Sequence, residues 1–454
     1  MRTDTARACF AKLRDRASPS PLSTAPAIGR ASRAVSLARA LYSAALLLLT
    51  PLALLRLAWR ARRQPAYLAH IGERFGRCRL RIDAPVIWIH AVSVGETHAA
   101  QPLVRALREA WPEHRIVMTH MTPTGRATGE QLFGENVLRA YLPYDLPWCV
   151  SAFLRCVRPR LGVLMETEVW PNLIAQCVRA KIPVALVNAR MSQRSARGYA
   201  RLDPLAREAM AGLAAVGAQT QDDAERIAAL GAPRVEITGN LKFDRAPAAA
   251  DLALGQTLRA RFGTRFVFLA ASTREGEEEL ILDALEGIDE DLLLALVPRH
   301  PQRFDAVAAL VARRGLPCQR RSEDQPVRAQ TRVWLGDSMG ELFACYAACD
   351  VAFVGGSLLP LGGQNLLEPL AVGKPVLIGP HTFNFAEATR SAVQAGAALR
   401  VDDAAGLRET LLLLRHDPQR RAHMSEAGRA FTRQHAGATA RTQALLASLL
   451  GGMR

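Results

Sequence analysis

The sequence predicts an α/β protein of two tandem domains, each a parallel sheet covered by helices, behind an N-terminal apolar helix. Two series of short apolar runs carry that prediction, because each run passes at once into a helical pattern. A run that is apolar at every position, rather than at alternate ones, marks a strand buried on both faces, as parallel strands are. Length agrees: 454 residues at 49% hydrophobic composition suit two or three domains with sizeable cores.

Residues 1–35 are rich in Ala, Arg, Ser and Pro, lack an apolar period, and are expected to be a disordered extension. Residues 36–63 are expected to form a membrane anchor. Its uncharged run, Ala40–Leu55, lies between Arg39 and Arg56. Sixteen helical residues rise about 24 Å against a hydrocarbon core of roughly 30 Å. The run is therefore read either as a thin span or as an anchor in one leaflet, kinked at Pro51. A cleaved signal peptide fits less well, because Arg56, Arg60, Arg62 and Arg63 follow in place of a cleavage site. Residues 61–76 place Tyr67, Leu68, Ile71 and Phe75 at helix-like spacing in a basic stretch. They suit a helix lying on an anionic membrane surface, and equally a segment docked on the soluble domain.

The first domain, 64–238, has expected strands at Val86–Ala91, Ile116–Thr119, Leu161–Met165, Val184–Asn188, Ala215–Ala218 and Val235–Thr238. A linker, 239–254, contains Pro247 and a run of alanines. The second domain, 255–454, continues with Phe266–Ala270, Leu292–Val297, Val333–Leu335, Val351–Val354, Val376–Ile378 and Ala397–Val401. Strand–helix alternation makes both domains Rossmann-like. The final helix, about Asp417–Leu449, is free to stay with the second domain or to cross back. Neither half opens with G-x-G-x-x-G and there is no G-x-x-x-x-G-K-[ST], so a dinucleotide enzyme or a P-loop NTPase is disfavoured.

A formal charge of +16 calls for an anionic partner. Nucleic acid is the weaker choice, since the arginines are scattered and only six tryptophans and six tyrosines accompany them. Eight irregularly spaced cysteines read as reduced, mostly buried thiols of a cytoplasmic compartment. Cys345 and Cys349 have no histidine near them, which argues against a metal site. Asp289-Glu290-Asp291 has the acidic spacing of metal-dependent sugar transferases, but it precedes an apolar run and reads better as a turn at a strand entrance.

Chemistry concentrates where strands end. Trp88-Ile89-His90-Ala91-Val92-Ser93-Val94-Gly95-Glu96 sets Glu96 beyond a strand, at a helix N-terminus that favours its ionised form. Glu96 could also be no more than a helix-start residue. Met165-Glu166-Thr167-Glu168 places two carboxylates after another strand, and Asn240-Leu241-Lys242-Phe243-Asp244 supplies a lysine at the linker. In the second half, Leu361-Gly362-Gly363-Gln364-Asn365-Leu366-Leu367-Glu368 offers paired glycines that let a backbone approach a phosphate. It also offers a helix start near Asn365 and a carboxylate for ribose hydroxyls. A glycine turn before an ordinary helix is the plainer alternative. Val297-Pro298-Arg299-His300-Pro301 adds a guanidinium, and Gly336-Asp337-Ser338-Met339-Gly340-Glu341-Leu342 another loop at a strand end. Three such loops at strand ends in one half are expected to form a nucleotide pocket.

These motifs, with Thr122-Pro123-Thr124-Gly125, Tyr141-Leu142-Pro143-Tyr144-Asp145, Asn188-Ala189-Arg190, Gly355–Ser357 and Pro380–Phe385, resemble the 3-deoxy-D-manno-octulosonic acid (Kdo) transferases of lipopolysaccharide assembly. The resemblance begins near residue 38 and runs almost to the C-terminus. It implies a GT-B glycosyltransferase at the cytoplasmic face of the inner membrane, moving Kdo with inversion from the substrate CMP-Kdo to a lipid A precursor, without metal or cofactor. By motif position Glu96 matches the family's general base, and Glu166 and Lys242 its transition-state stabilisers. Pro298, Arg299, Met339, Gly340, Glu341, Asn365, Leu366, Leu367 and Glu368 match its CMP contacts. Two residues depart from the pattern: Arg274 stands where histidine is expected, and Thr97 where an apolar residue is usual.

The chemistry fits independently. A carboxylate within hydrogen-bond reach can take a hydroxyl proton as the new bond forms. Arginine, lysine and backbone amides can stabilise a departing phosphate. The rivals are another lipid-directed GT-B transferase, a nucleotide-sugar epimerase, which needs no anchor, and a non-catalytic membrane-surface protein on the same scaffold.

Overall fold

A computed structural model describes residues 27–62, 64–201 and 203–451. The first sheet comprises β1 (Val86–His90), β2 (Arg115–His120), β3 (Val137–Tyr141), β4 (Pro159–Met165), β5 (Val184–Ala189), β6 (Ala215–Ala218) and β7 (Val235–Ile237). They lie in the order β3-β2-β1-β4-β5-β6-β7, and every pairing is parallel. The second sheet comprises β8 (Phe266–Thr273), β9 (Leu292–Pro298), β10 (Cys318–Arg320), β11 (Val333–Leu335), β12 (Val351–Val354), β13 (Val376–Ile378) and β14 (Ala398–Arg400). Its order is β10-β11-β9-β8-β12-β13-β14, again all parallel.

In both sheets the strand order reverses beside the first strand, between β1 and β4 and between β8 and β12. Loops leaving adjacent strands at such a point diverge to opposite faces and open a crevice beyond the carboxyl ends. The central strands are held by side chains buried on both faces. Trp88 is fully buried, donates its indole N–H to Thr119 Oγ1 at 2.8 Å and meets Phe153 edge-on at 5.3 Å. Gly162 on the neighbouring strand makes this possible, since a Cβ there would lie 3.1 Å from the Trp88 ring.

β3 and β10 are absent from the expected strands, and both are outermost strands. Val137-Leu138-Arg139-Ala140-Tyr141 is interrupted by a charged, half-buried residue, and Cys318-Gln319-Arg320 is short and polar. An edge strand lies against one neighbour only and needs no continuous apolar run.

The N-terminal helix runs Ala27–Ala61, so residues 27–35 are helical rather than part of a disordered extension; residues 1–26 lie outside the described residues. Alanine, arginine and leucine there are strong helix formers. Its segment Leu37–Ala61 is long and apolar enough to cross a membrane, with Leu41, Leu48, Leu52 and Leu55 all exposed. Residues 61–76 do not continue as one helix. They form two 3-10 turns, Pro65–Tyr67 and Ile71–Phe75, separated by left-handed His70 at φ 55° and closed by Gly76 at φ 79°. Of the two readings the structure shows docking: Phe75 packs edge-on to Tyr144 at 5.4 Å, and buried Arg74 lies 4.1 Å over the Tyr141 ring.

A helix at Ala249–Phe262 begins inside the expected linker, leaving 239–248 to join the two sheets. The last helix, Ala438–Gly451, crosses back to the first domain. Ala438 and Leu446 share a core with Ile87, Leu103 and Leu241, and Gln443 Nε2 donates to Ala106 O at 3.4 Å.

Candidate functional site

The site begins where β1 ends. Ser93 is extended and caps the helix Val94–Ala110, its hydroxyl accepting from the Glu96 N–H at 3.3 Å. In return Glu96 Oε1 accepts from the Ser93 hydroxyl and Oε2 from the Val92 N–H, both at 2.8 Å. Glu96 is thus a helix-start residue and is also held rigidly at the crevice. Burial pushes its pKa up, outweighing the Val92 and Ser93 hydrogen bonds; Glu166 raises it further and Lys242 lowers it. Thr97, the departure from the family pattern, is buried and donates to Ser93 O at 2.8 Å, so it supports the same turn.

Glu166 follows β4, across the crevice from the end of β1. It is buried, with a left-handed backbone at φ 56° secured by its N–H donating to Val187 O at 2.9 Å. Lys242 Nζ lies 2.9 Å from Glu166 Oε1, and Arg190 Nε 3.3 Å from Oε2. Lys242 arrives on the 3-10 turn Leu241–Asp244, whose Leu241 N–H donates to Asn188 Oδ1 at 3.0 Å. The structure therefore brings Glu96, Glu166 and Lys242 together. It adds Glu168, whose Oε2 accepts from Trp170 Nε1 at 2.9 Å and lies 3.9 Å from His90 Nε2. Burial, with Glu96 and Glu166 nearby, pushes Glu168 up to about 7, while burial drives His90 down to about 3.

In the second domain the loops after β8 and β12 are tied together by Glu277. This fully buried carboxylate accepts from the N–H groups of Arg274 at 2.9 Å, Ser357 at 2.9 Å and Leu358 at 3.0 Å, and also from Gly356. Beside it, buried Glu278 pairs through both oxygens with Arg303, at 2.6 and 3.0 Å. Pro298 closes β9, and the Arg299 N–H donates to Thr273 O at 3.0 Å. Met339 is exposed, and Gly340, at φ 85°, faces open space. Glu341 is gripped by Arg321, at 3.0 and 3.1 Å.

The helix expected near Asn365 starts at Leu367 and spans only Leu367–Ala371. Asn365 Oδ1 caps it, accepting from the Leu367 N–H at 3.2 Å. The side chains of Leu366 and Leu367 are buried in the core, so only their backbones face the loop. The glycine pair serves loop packing: at Gly362, φ 95°, a Cβ would lie 2.3 Å from Asn384 Nδ2. Asp289, in the turn before β9, is bound by Arg415 at 2.6 and 2.8 Å.

The halves meet over this region. Arg245, from the linker, pairs with Glu368 of the second domain. His98, two residues beyond Glu96 on the same helix, is pushed down to about 4 by burial and by the charges of Arg245 and Arg299, so Arg299 of the second domain lies near the helix that carries Glu96. Farther along, Asp222 and Arg226 oppose Glu387 and Arg390 across a polar cavity. Arg245 and Glu277 escaped the sequence reading, and Glu168 figured in it only as the second carboxylate after β4. Arginine is too frequent here to single out one, and Glu277 sits in what looks like a solvated acidic run.

A family model described as 3-deoxy-D-manno-octulosonic-acid transferase (kdotransferase) matches residues 69–245, and one for group 1 glycosyl transferases matches residues 316–431. The chain is 46% identical over 432 residues to a 3-deoxy-D-manno-octulosonic acid transferase of Bordetella pertussis, covering 91% of this chain and 100% of that one. It is 39% identical over 417 residues to the Haemophilus influenzae protein of the same name, covering 90% and 98%. A UDP-GlcNAc 2-epimerase from Neisseria meningitidis bound to UDP-GlcNAc superposes with a TM-score of 0.55 over 81% of this chain and all of that one; at 14% identity it shares the fold alone. With its two facing parallel sheets of GT-B type and a relative nearly half identical over most of its length, the chain belongs to the Kdo transferases, a family of glycosyltransferases.

Proposed function

We propose that the protein moves Kdo from CMP-Kdo to a lipid A precursor in one inverting displacement, without a metal ion. The observation that carries this reading is the meeting of Glu96, Glu166 and Lys242 at the reversal point of the first sheet, opposite Arg299. Each Glu96 oxygen accepts one hydrogen bond and keeps a second lone pair for an acceptor hydroxyl. A buried carboxyl with a raised pKa is also the stronger base once ionised. Attack from the Glu96 side, with the nucleotide leaving toward the second domain, inverts the anomeric carbon.

The second domain holds the CMP moiety through Pro298, Arg299, Met339, Gly340, Glu341, Asn365 and Glu368, with Leu366 and Leu367 contributing backbone groups. Arg299 and Lys242 oppose the charge that grows on the departing phosphate, the work a divalent ion does elsewhere. A lipid acceptor fits the N-terminal helix. Tyr42 donates to Asp145 Oδ2 at 3.0 Å, Asn172 Nδ2 donates to Ser43 Oγ at 3.0 Å, and Arg39 pairs with Glu208. Asp145 and Asn172 follow β3 and β4 at their carboxyl ends, the side on which Glu96 lies. The apolar helix is thereby fixed near the catalytic crevice, in keeping with an anchor in the inner membrane at its cytoplasmic face.

The test is transfer by the full chain from CMP-Kdo to a lipid A precursor in detergent, in excess chelator, with products read by mass. The acceptor gains Kdo mass, and Glu96→Ala abolishes the gain while CMP binding persists. Loss of transfer on chelation, restored by magnesium, or near-normal turnover of Glu96→Ala, would overturn the respective part.

A further inference from the structure

Glu368, matched above to the nucleotide's ribose, is already engaged. Its carboxylate is almost wholly buried, and Oε1 accepts from both Asn365 Nδ2, at 3.2 Å, and Arg245 Nη1. Asn365 is three residues away on the same loop, whereas Arg245 comes from the linker between the domains. The Arg245 guanidinium lies 5.4 Å over the Phe343 ring and is a quarter exposed, so it is seated rather than entombed. Arg299 makes no ion pair among the described residues, and both guanidinium charges act on the same His98. Two cations therefore converge at the mouth of the nucleotide loop, one of them parked on a carboxylate.

We infer that Arg245 is a phosphate-binding residue that the linker delivers to the donor, and that Glu368 holds it in place until the nucleotide arrives. The inference rests on the reading of the second domain as the CMP-Kdo site. A ribose diol donates to Glu368 in the position Arg245 occupies, and the released guanidinium takes the phosphate oxygens through two parallel N–H groups. One charged pair is exchanged for another and no buried charge is left bare, which keeps the exchange from being prohibitive. Arg245 lies three residues past Lys242 on one short segment.

Calorimetric titration of CMP and of cytidine into the full chain, Arg245→Gln and Arg245→Lys tests this. A lost charged hydrogen-bond pair predicts that Arg245→Gln weakens CMP binding by about ten- to a hundredfold. Cytidine affinity is unchanged or improved, because Glu368 is freed, and Arg245→Lys falls between. Equal losses for CMP and cytidine would mean that Arg245 only props Glu368, and unchanged CMP affinity that it never meets the phosphate; either overturns the inference. If the unmodified chain binds neither ligand, the reading of the second domain falls, and this inference with it.

Discussion

Lys242 Nζ and Glu166 Oε1 lie 2.9 Å apart, although the lysine belongs to the linker turn and the glutamate to the loop after β4. The pair fixes how the linker enters the crevice, and it sits where Glu96 feels both charges.

The pH dependence of transfer should report that arrangement. The Lys242 ammonium favours the ionised form of Glu96, and Glu166 opposes it. Lys242→Met should move the acid limb of kcat/KM to higher pH and lower kcat; Glu166→Gln should move the limb to lower pH. A limb that stays fixed in both variants would take the titration away from Glu96.

Glu168 gives a stability prediction. Burial raises its folded pKa to about 7, above a usual carboxylate near 4.3. The folded state then binds the proton more tightly, so this group's contribution is fully present below about pH 4 and is lost as pH rises through 7. Glu168→Gln stays neutral and should gain in melting temperature relative to the parent between about pH 5 and 8, with the curves converging at acid pH. Asp145, raised to about 6 by burial, leaves a similar slope in both proteins. Parallel curves would place Glu168 in water.

Asp244 accepts from the Gly437 N–H at 2.7 Å and from the Thr439 N–H, satisfying free donors at the start of the last helix. Asp244→Ala should cost about 1–2 kcal/mol, the usual price of a lost cap. Hydrogen exchange should quicken first in Ala438–Gly451, with the amides of β9 and β12 unaffected.

Ten inner strands were legible because a strand covered on both faces must be apolar throughout, and the border strands Val235–Ile237 and Ala398–Arg400 because each keeps two apolar residues. Val137–Tyr141 and Cys318–Arg320 were not, because a sheet's border leaves one flank to polar residues. The residues of the crevice were legible as motifs at strand ends: Glu96 and Glu166 stand shortly beyond buried runs, and Lys242 beyond the largely exposed border strand Val235–Ile237. Their contacts were not legible. Glu166 and Lys242 are separated by seven secondary-structure elements, and Arg245 meets Glu368 across two sheets. Only the path of the chain brings them within reach. The turns at Pro65–Tyr67 and Ile71–Phe75 deceived for a different reason. Their apolar spacing is helical, but the left-handed backbone at His70 breaks the run between Tyr67 and Ile71, and Phe75 packs on Tyr144.

The chain passes between its halves twice, through residues 239–248 and again at Ala436 and Gly437, and Asp244 ties the second passage to the first. Phe243, stacked on His435 at 4.7 Å, fastens the same spot. Two strands of polypeptide bonded side by side act like the spine of a book. They permit the covers to swing but resist sliding and twisting. Were the covers to swing about it, Lys242 and Arg245, set close to that spine, would move little, and Asp222 and Glu387, farther along the gap, would move more.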